Sequence, residues 1–271
     1  MALFNDDGSI DVEKIIRSKF PKAPGFVISY ARKLFHEEWF NTFLTRGYEG
    51  VEFCDETIKF LNVKLEVEGL ENIPEDGLYT FASNHPLGGI DGVALCSLIG
   101  NHLHTANDGV RFLVNDFLLA LKGLNPVVVG VNKVGGQARA LVEETNKLYA
   151  DTETQVLIFP AGVCSRKIDG VVQDLPWTKS FVTLSKKYGR SIVPVHFYGE
   201  NSKRFYRIAN IQKKLKIKAP LAMALLPDEL YKGRGKTFKV VFGKPIPPET
   251  FDSSKKPIEW AAYLRDKAYE L

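Results

Sequence analysis

An α/β fold is what the 271-residue sequence predicts: a mixed, largely parallel central sheet covered by helices, with an N-terminal helical extension. Three observations carry that expectation. From about residue 63 onward, strand-like and helix-like segments alternate, the order of sheets covered by helices on both faces. The runs QVLIFP and SIVPVHFYG are apolar almost throughout, as strands buried on both faces are. Before residue 49, apolar residues recur instead at helical spacing.

The elements follow in order. Residues 11–48 read as helix with a break at PKAPG. Beyond the break, Phe26, Val27, Tyr30, Leu34, Phe35, Trp39, Phe43 and Leu44 form one pattern, with Arg32, Lys33, Glu37, Glu38 and Arg46 between them. Such a face packs on its own domain or lies on a membrane surface, where aromatic and basic residues suit the interface. VKLEVEG alternates with period two and reads as a strand, and NIPEDG as a turn. LYTFAS is a strand that runs into SNHPLGGIDG, and IDGVALCSLIG a helix. VRFLV and PVVVGV are strands, GGQARALVEETNKLYAD a helix, and QVLIFP a buried strand. SFVTLSKKYG is a helix closed by Gly189, SIVPVHFYG and TFKVVFG are strands, and IEWAAYLRDKAYEL is a final helix. No Gly/Ser-rich linker interrupts the series, so one domain with an extension is expected.

Composition narrows the function classes. The formal charge of +4 suits an anionic partner such as a membrane surface but is too small to argue for nucleic acid. Cys54, Cys96 and Cys164 show neither a disulfide framework nor zinc spacing, which points to a reducing compartment. The start, MALFNDDGSIDVEK, lacks the basic and apolar stretches of a signal peptide. No run of about 18 apolar residues occurs, so no transmembrane helix is expected.

Two stretches carry chemistry. In SNHPLGGIDG, His85 follows a strand and Asp91 opens a helix, with Gly88 and Gly89 between them. Glycine allows the sharp return and Pro86 stiffens it, so imidazole and carboxylate can meet. A carboxylate on one ring nitrogen fixes the tautomer and stabilises the charged form, leaving the other nitrogen to take a proton. The same residues also suit a structural histidine beside a helix-capping aspartate. A metal site would draw on His102, His104 and Asp108, but the two histidines point to opposite faces if extended. In QVLIFPAGVCSRK, a buried strand ends at Pro160, followed by Gly162, Ser165, Arg166 and Lys167. Backbone N–H groups at such a turn receive an anionic oxygen, and the basic pair meets phosphate. An ordinary strand-end turn reads the same way.

Together these stretches carry a resemblance. Asn84-His85-Pro86-Leu87-Gly88-Gly89-Ile90-Asp91 resembles the NHxxxxD motif of the glycerolipid (lysophosphatidate-like) acyltransferase family. FPAGVCSR resembles its third motif, usually FPEGTRS, and IVPVHFYG its fourth; the order agrees from about residue 60 to 245. NSKRFYRI and the basic stretch after it look most like the hemolysin-like subgroup, which includes O-acyltransferases making ornithine and glycine lipids.

The resemblance implies a membrane-facing extension over residues 1–48 and an acyltransferase domain over 49–271. It implies that His85 is the general base, oriented by Asp91, for attack of a lysolipid hydroxyl on an acyl thioester of acyl carrier protein or coenzyme A. No bound cofactor or metal is implied. Asn84, Gly88, Lys133, Phe159, Pro160, Gly162, Ser165 and Arg166 are the implied substrate contacts. Two departures bear on the acceptor. Ala161 replaces the glutamate of the third motif, and Asn132-Lys133 stands where the second motif has a phosphate-binding arginine. Lysine lacks the bidentate fork, which favours a monoacyl amino-acid lipid of the ornithine or glycine type as acceptor; lysophosphatidate stays the alternative, with Lys133 and Arg166 together holding its phosphate. A hydrolase with Ser83, Ser165 or Cys164 as nucleophile is a rival reading, although the G-x-S-x-G elbow is missing. A lipid-binding protein that keeps the fold is another.

Residues 203–218, KRFYRIANIQKKLKIK, hold basic residues with no acid and apolar residues interleaved. They read as a solvated helix face, or as a surface that docks on anionic lipid or on an acidic carrier protein. The expected location is the cytoplasmic face of a membrane, as a peripheral protein.

Overall fold

The computed structural model describes residue 5 and residues 7–114, 116–119, 121–130, 137–217 and 221–271. Four helices come first: α1 (Val12–Lys19), α2 (Gly25–Leu34), α3 (Glu37–Leu44) and α4 (Gly50–Phe60). The break at PKAPG falls between α1 and α2. A second break, not evident in the sequence pattern, falls at His36, whose φ of 49° is left-handed. Two side chains hold it there. The His36 ring stacks on Tyr231 at 3.5 Å, and its Nε2 meets Asp228 at 3.0 Å. Helix α4 lies beyond the helical stretch that the sequence pattern marks. It packs through Val51, Phe53 and Cys54 into the main core, together with Phe43 of α3.

The alternating part then runs β1 (Lys64–Glu68), β2 (Tyr79–Ser83), α5 (Ile90–His102), β3 (Val110–Val114), α6 (Asp116–Leu119), β4 (Val128–Gly130), α7 (Gln137–Ala150) and β5 (Gln155–Ile158). A hairpin of β6 (Arg166–Ile168) and β7 (Val171–Gln173) follows. The chain ends with α8 (Ser180–Lys187), β8 (Ser191–Phe197), α9 (Lys203–Lys214), α10 (Leu226–Lys232), β9 (Thr237–Phe242) and α11 (Pro257–Tyr269).

Among the described residues the main sheet has seven strands in the order β1-β9-β8-β2-β5-β3-β4. Every neighbouring pair is parallel except β8 and β9. The sheet is thus mixed and largely parallel, as expected. Strand β2 is buried at every position because helices cover both its faces. Tyr79 and Phe81 enter the core that holds α4 and α5, whereas Ala82 joins Trp177, Phe181, Trp260 and Leu264 on the other face. Full burial of such a large side chain contributes about 1.5–3 kcal/mol. Helix α5 is apolar around most of its circumference and buried accordingly.

A buried cation closes the lower end of the sheet. Arg190 is fully buried. Its guanidinium donates to the carbonyls of Tyr149 (2.8 Å), Thr154 (2.8 Å) and Tyr79 (3.2 Å), and to those of Leu148 and Asp151. It thereby satisfies the C-terminal carbonyls of α7, which no intrahelical N–H can reach.

Candidate active site

β2 and β5 are hydrogen-bonded neighbours, so the segments that leave their carboxyl ends emerge side by side. In open sheets of this kind, sites form where the carboxyl ends of strands open outward. His85 leaves β2 and Phe159 leaves β5, and their rings stack at 4.0 Å with a 25° tilt.

Asp91 lies in the first turn of α5 and is fully buried. Its Oδ2 accepts from the N–H of Leu87 (2.9 Å) and of Gly88 (3.2 Å), and its Oδ1 from its neighbour Gly92 (3.0 Å). The carboxylate therefore cannot swing away. Oδ2 lies 3.0 Å from His85 Nδ1, close but off the line of an ideal N–H···O bond. Burial pushes the Asp91 pKa up, but the His85 ring and the Leu87 and Gly88 N–H groups outweigh it, so the group sits below the usual carboxylate value. Burial likewise pushes His85 down. Asp91, by charge and hydrogen bonding, and Asp174, by charge, outweigh burial and the opposing charge of Arg166, so the imidazole sits above 6.5. The side chain keeps 18% exposure, and Nε2 has no hydrogen-bond partner among the described residues.

The return between the two residues depends on Gly88. Its φ is +77°, and a Cβ there would stand 2.4 Å from Cys164 Sγ and 3.0 Å from Leu226 of α10. Side chains from distant segments pin the rest of the loop. Asn84 donates to the Phe197 carbonyl (3.0 Å) and accepts from its N–H (2.7 Å), locking the loop to the end of β8. Asn201 donates to the carbonyls of Pro86 and Leu87 at 3.1 and 3.3 Å.

The structure brings together most of the residues expected at the site. His85, Asp91, Asn84, Gly88, Phe159, Pro160, Gly162, Ser165 and Arg166 form one neighbourhood. Lys133 lies outside the described residues. Several of these residues hold the loop. The Ser165 N–H donates to the His85 carbonyl (2.8 Å) and the Pro160 carbonyl accepts from Thr178. Gly162, with φ +68° and open space where a Cβ would lie, is exposed, its N–H closing a turn on Phe159. Arg166 donates to the carbonyls of Cys164 (2.5 Å) and Ser165 (3.3 Å), and its other N–H groups have no partner among the described residues.

Side chains considered as nucleophiles face elsewhere. Ser83 donates to the Asn84 carbonyl and Ser165 to Asp174, and burial pushes the Cys164 thiol up to about 12. His102 Nε2 bonds the Ile73 carbonyl, and His104 lies 3.7 Å from Glu75. Sequence reasoning missed Asn201 and Asp174. Both are polar residues in loops whose partners lie far away in the chain, and no local pattern marks them.

The acyltransferase family profile matches residues 12–271. The chain is 48% identical over 269 residues to a lyso-glycine lipid O-acyltransferase of Bacteroides thetaiotaomicron, covering 97% of each. It is 46% identical over 268 residues to a protein of the same name from Phocaeicola vulgatus, covering 97% of this chain and 95% of that one. Its fold resembles the crystal structure of PlsC, the 1-acyl-sn-glycerophosphate acyltransferase of Thermotoga maritima, with a TM-score of 0.50 at 21% identity over 81% of this chain and 76% of that one. The profile spans nearly the whole sequence, helical extension included, and on that match the chain belongs to the acyltransferase family.

Proposed function

We propose that the protein transfers a fatty acyl group from a thioester to the hydroxyl of a monoacyl glycine lipid, with His85 as general base. The observation that carries this reading is the His85–Asp91 pair, held at 3.0 Å by a carboxylate that backbone N–H groups fix in place. Nδ1 faces Asp91, so Nε2 takes the proton of the acceptor hydroxyl as its oxygen attacks the thioester carbonyl. The tetrahedral oxyanion lies toward Arg166. When it collapses, the C–S bond breaks and the imidazolium returns the proton to the departing sulfur, which leaves as the thiol of acyl carrier protein or coenzyme A. The paired aspartate stabilises the imidazolium between these two transfers. No acyl-enzyme forms.

The acceptor assignment draws on two supports. Curated relatives sharing 46–48% identity carry the lyso-glycine lipid name. The sequence has Ala161 and Lys133 where phosphate-handling residues are expected. A glycine lipid presents one carboxylate charge, whereas a phosphomonoester presents about two and favours a guanidinium fork. Purified enzyme given lyso-glycine lipid and lysophosphatidate with the same thioester is expected to prefer the former by at least about tenfold in kcat/KM, about 1.4 kcal/mol of transition-state stabilisation. The reverse preference would replace the glycine lipid with a phospholipid precursor.

The acceptor and the product of this reaction are lipids, and a surface suited to a bilayer is present. On α2, Phe26 is 76% and Tyr30 60% exposed. Helix α9 lies beside it: Arg204 donates to the Tyr30 hydroxyl at 3.3 Å, and Leu34 packs against the apolar cluster that holds Phe205, Tyr206 and Ala209. Ile211, Leu215, Leu221 and Met223 are also exposed, among exposed Lys203, Arg207, Lys213 and Lys214. Lys218, at the end of the basic stretch, lies outside the described residues. No helix among the described residues is long and apolar enough to cross a membrane. The proposed attachment is peripheral, by apolar insertion aided by basic charge. Co-sedimentation with anionic vesicles is expected to weaken with added salt, because exposed charges are screened over about 10 Å at 0.1 M. It should weaken again in Phe26→Ser/Tyr30→Ser and in Lys213→Glu/Lys214→Glu. Binding indifferent to salt and to both variants would remove this surface from the mechanism.

A further inference from the structure

We propose that Asp174 is a positioning residue for His85, locking its peptide so that the imidazole meets the acceptor in one orientation. The proposal rests on the reading of His85 as the base. Asp174 follows β7, 89 residues beyond His85 in the chain, and is buried to 2% exposure. Its Oδ1 accepts from the His85 backbone N–H at 3.2 Å and from the Ser165 hydroxyl at 2.5 Å. Ser165 in turn donates its own N–H to the His85 carbonyl at 2.8 Å. The ring His85 N–H, Asp174, Ser165, His85 C=O closes on itself and grips the peptide groups on either side of the His85 Cα. Oδ2 accepts from Trp177 Nε1 at 2.9 Å. Both oxygens therefore act as acceptors, the role of a carboxylate.

Helix α11 fixes the main chain of Asp174, and so the place from which its carboxylate reaches out. The Asp174 N–H donates to the Tyr269 hydroxyl at 2.7 Å, and Arg265 donates to the Asp174 carbonyl at 2.9 Å. The C-terminal helix, which holds none of the expected site residues, is thus tied to the base by two steps. Groups whose charges bear on His85 are Asp91 from α5, Asp174 itself and Arg166 from β6. Those around Asp174 are Arg265 and Tyr269 from α11 and His196 from β8. After Asp91, Asp174 is the second negative charge that favours the His85 imidazolium.

The test compares wild type, Asp174→Asn, His85→Ala and the double variant by steady-state kinetics across a pH series. In Asp174→Asn an NH₂ group must face either the Trp177 donor or the His85 and Ser165 donors, and one negative charge is gone. The expected result is a kcat lower by about tenfold to a hundredfold, the loss associated with slight misplacement of a catalytic group, with KM for both substrates within about twofold of wild type. The acid limb of kcat/KM should move to lower pH, since His85 loses its proton more easily. In the His85→Ala background the same substitution should cost nothing further. Wild-type kcat with an unmoved limb, or an equal loss in the His85→Ala background, would overturn the proposal. Near-normal turnover of His85→Ala alone would instead overturn the reading of the base. If Asp174→Asn does not accumulate as folded protein, Ser165→Ala decides: it opens the ring and keeps both charges. A threefold to tenfold lower kcat is then expected, about what loss of one hydrogen bond allows, and wild-type kcat would overturn the proposal.

Discussion

His85→Ala is expected to lower kcat by about 10² to 10⁴, the range for loss of a general base, with little change in melting temperature. The fold should survive because the loop does not hang on the imidazole. Asn84 and Asn201 pin its backbone, and Asp91 keeps its N–H donors from Leu87, Gly88 and Gly92. Asp91→Asn should cost less and should not add to His85→Ala, since the two act as a unit. The wild-type pH profile carries the same signature. On the proposed assignment His85 accepts a proton only when neutral, and its pKa is raised above the ordinary 6.5. Activity should therefore rise with pH through a limb displaced above 6.5, the opposite of a bare buried histidine, whose desolvation would move the limb down. A limb below 6.5, or near-normal turnover of the purified His85→Ala enzyme, would refute the assignment.

Arg190→Met should destabilise the protein by about 3–5 kcal/mol, because buried carbonyls left without donors cost about 1–3 kcal/mol each and the losses are not additive. The guanidinium serves the carbonyls of Tyr149, Thr154, Tyr79, Leu148 and Asp151 at once. Methionine fills the space and donates nothing. Lysine should rescue only part of the loss, lacking the planar fork that reaches several acceptors. A thermal melt followed by circular dichroism should show a drop on the order of 10 °C. A melting temperature within the error of wild type would show that water replaces the guanidinium. Since Arg190 also holds the Tyr79 carbonyl, at the start of the strand that leads to His85, activity near the melting transition should fall with it.

The strands of the sheet and the central loop of the candidate site are legible in the sequence because both rest on local signals. LYTFAS and QVLIFP are compact apolar runs that end in glycine- or proline-bearing loops, and His85 and Asp91 lie within one such loop. What was not legible depends on distant partners. The break at His36 is hidden because Phe35 and Trp39 continue the helical spacing across it; stacking on Tyr231 and contact with Asp228, far along the chain, impose it. The β6–β7 hairpin is short and half exposed, so neither of its strands shows an apolar run. Asp174 and Arg190 look like ordinary surface charges in sequence, and only the fold shows that each is buried among complementary groups. The resemblance also points to Phe159 and Pro160 without revealing their work: one stacks on His85 and the other receives Thr178.

The clamp between Asn84 and Phe197 has a consequence for how the protein comes into being. The two residues are 113 positions apart, and the partner of Pro86 and Leu87, Asn201, lies further still along the chain. Strand β2 likewise waits for β8 to pair with its second edge. During synthesis the His85–Asp91 loop therefore cannot acquire its full set of native bonds until residue 201 has left the ribosome. Contacts of such sequence separation are also slow to form, because loop-closure entropy is lost before they return any stabilisation. A nascent or truncated chain carries the histidine and the aspartate but not the geometry, so the candidate site is assembled late in folding, together with the closed sheet.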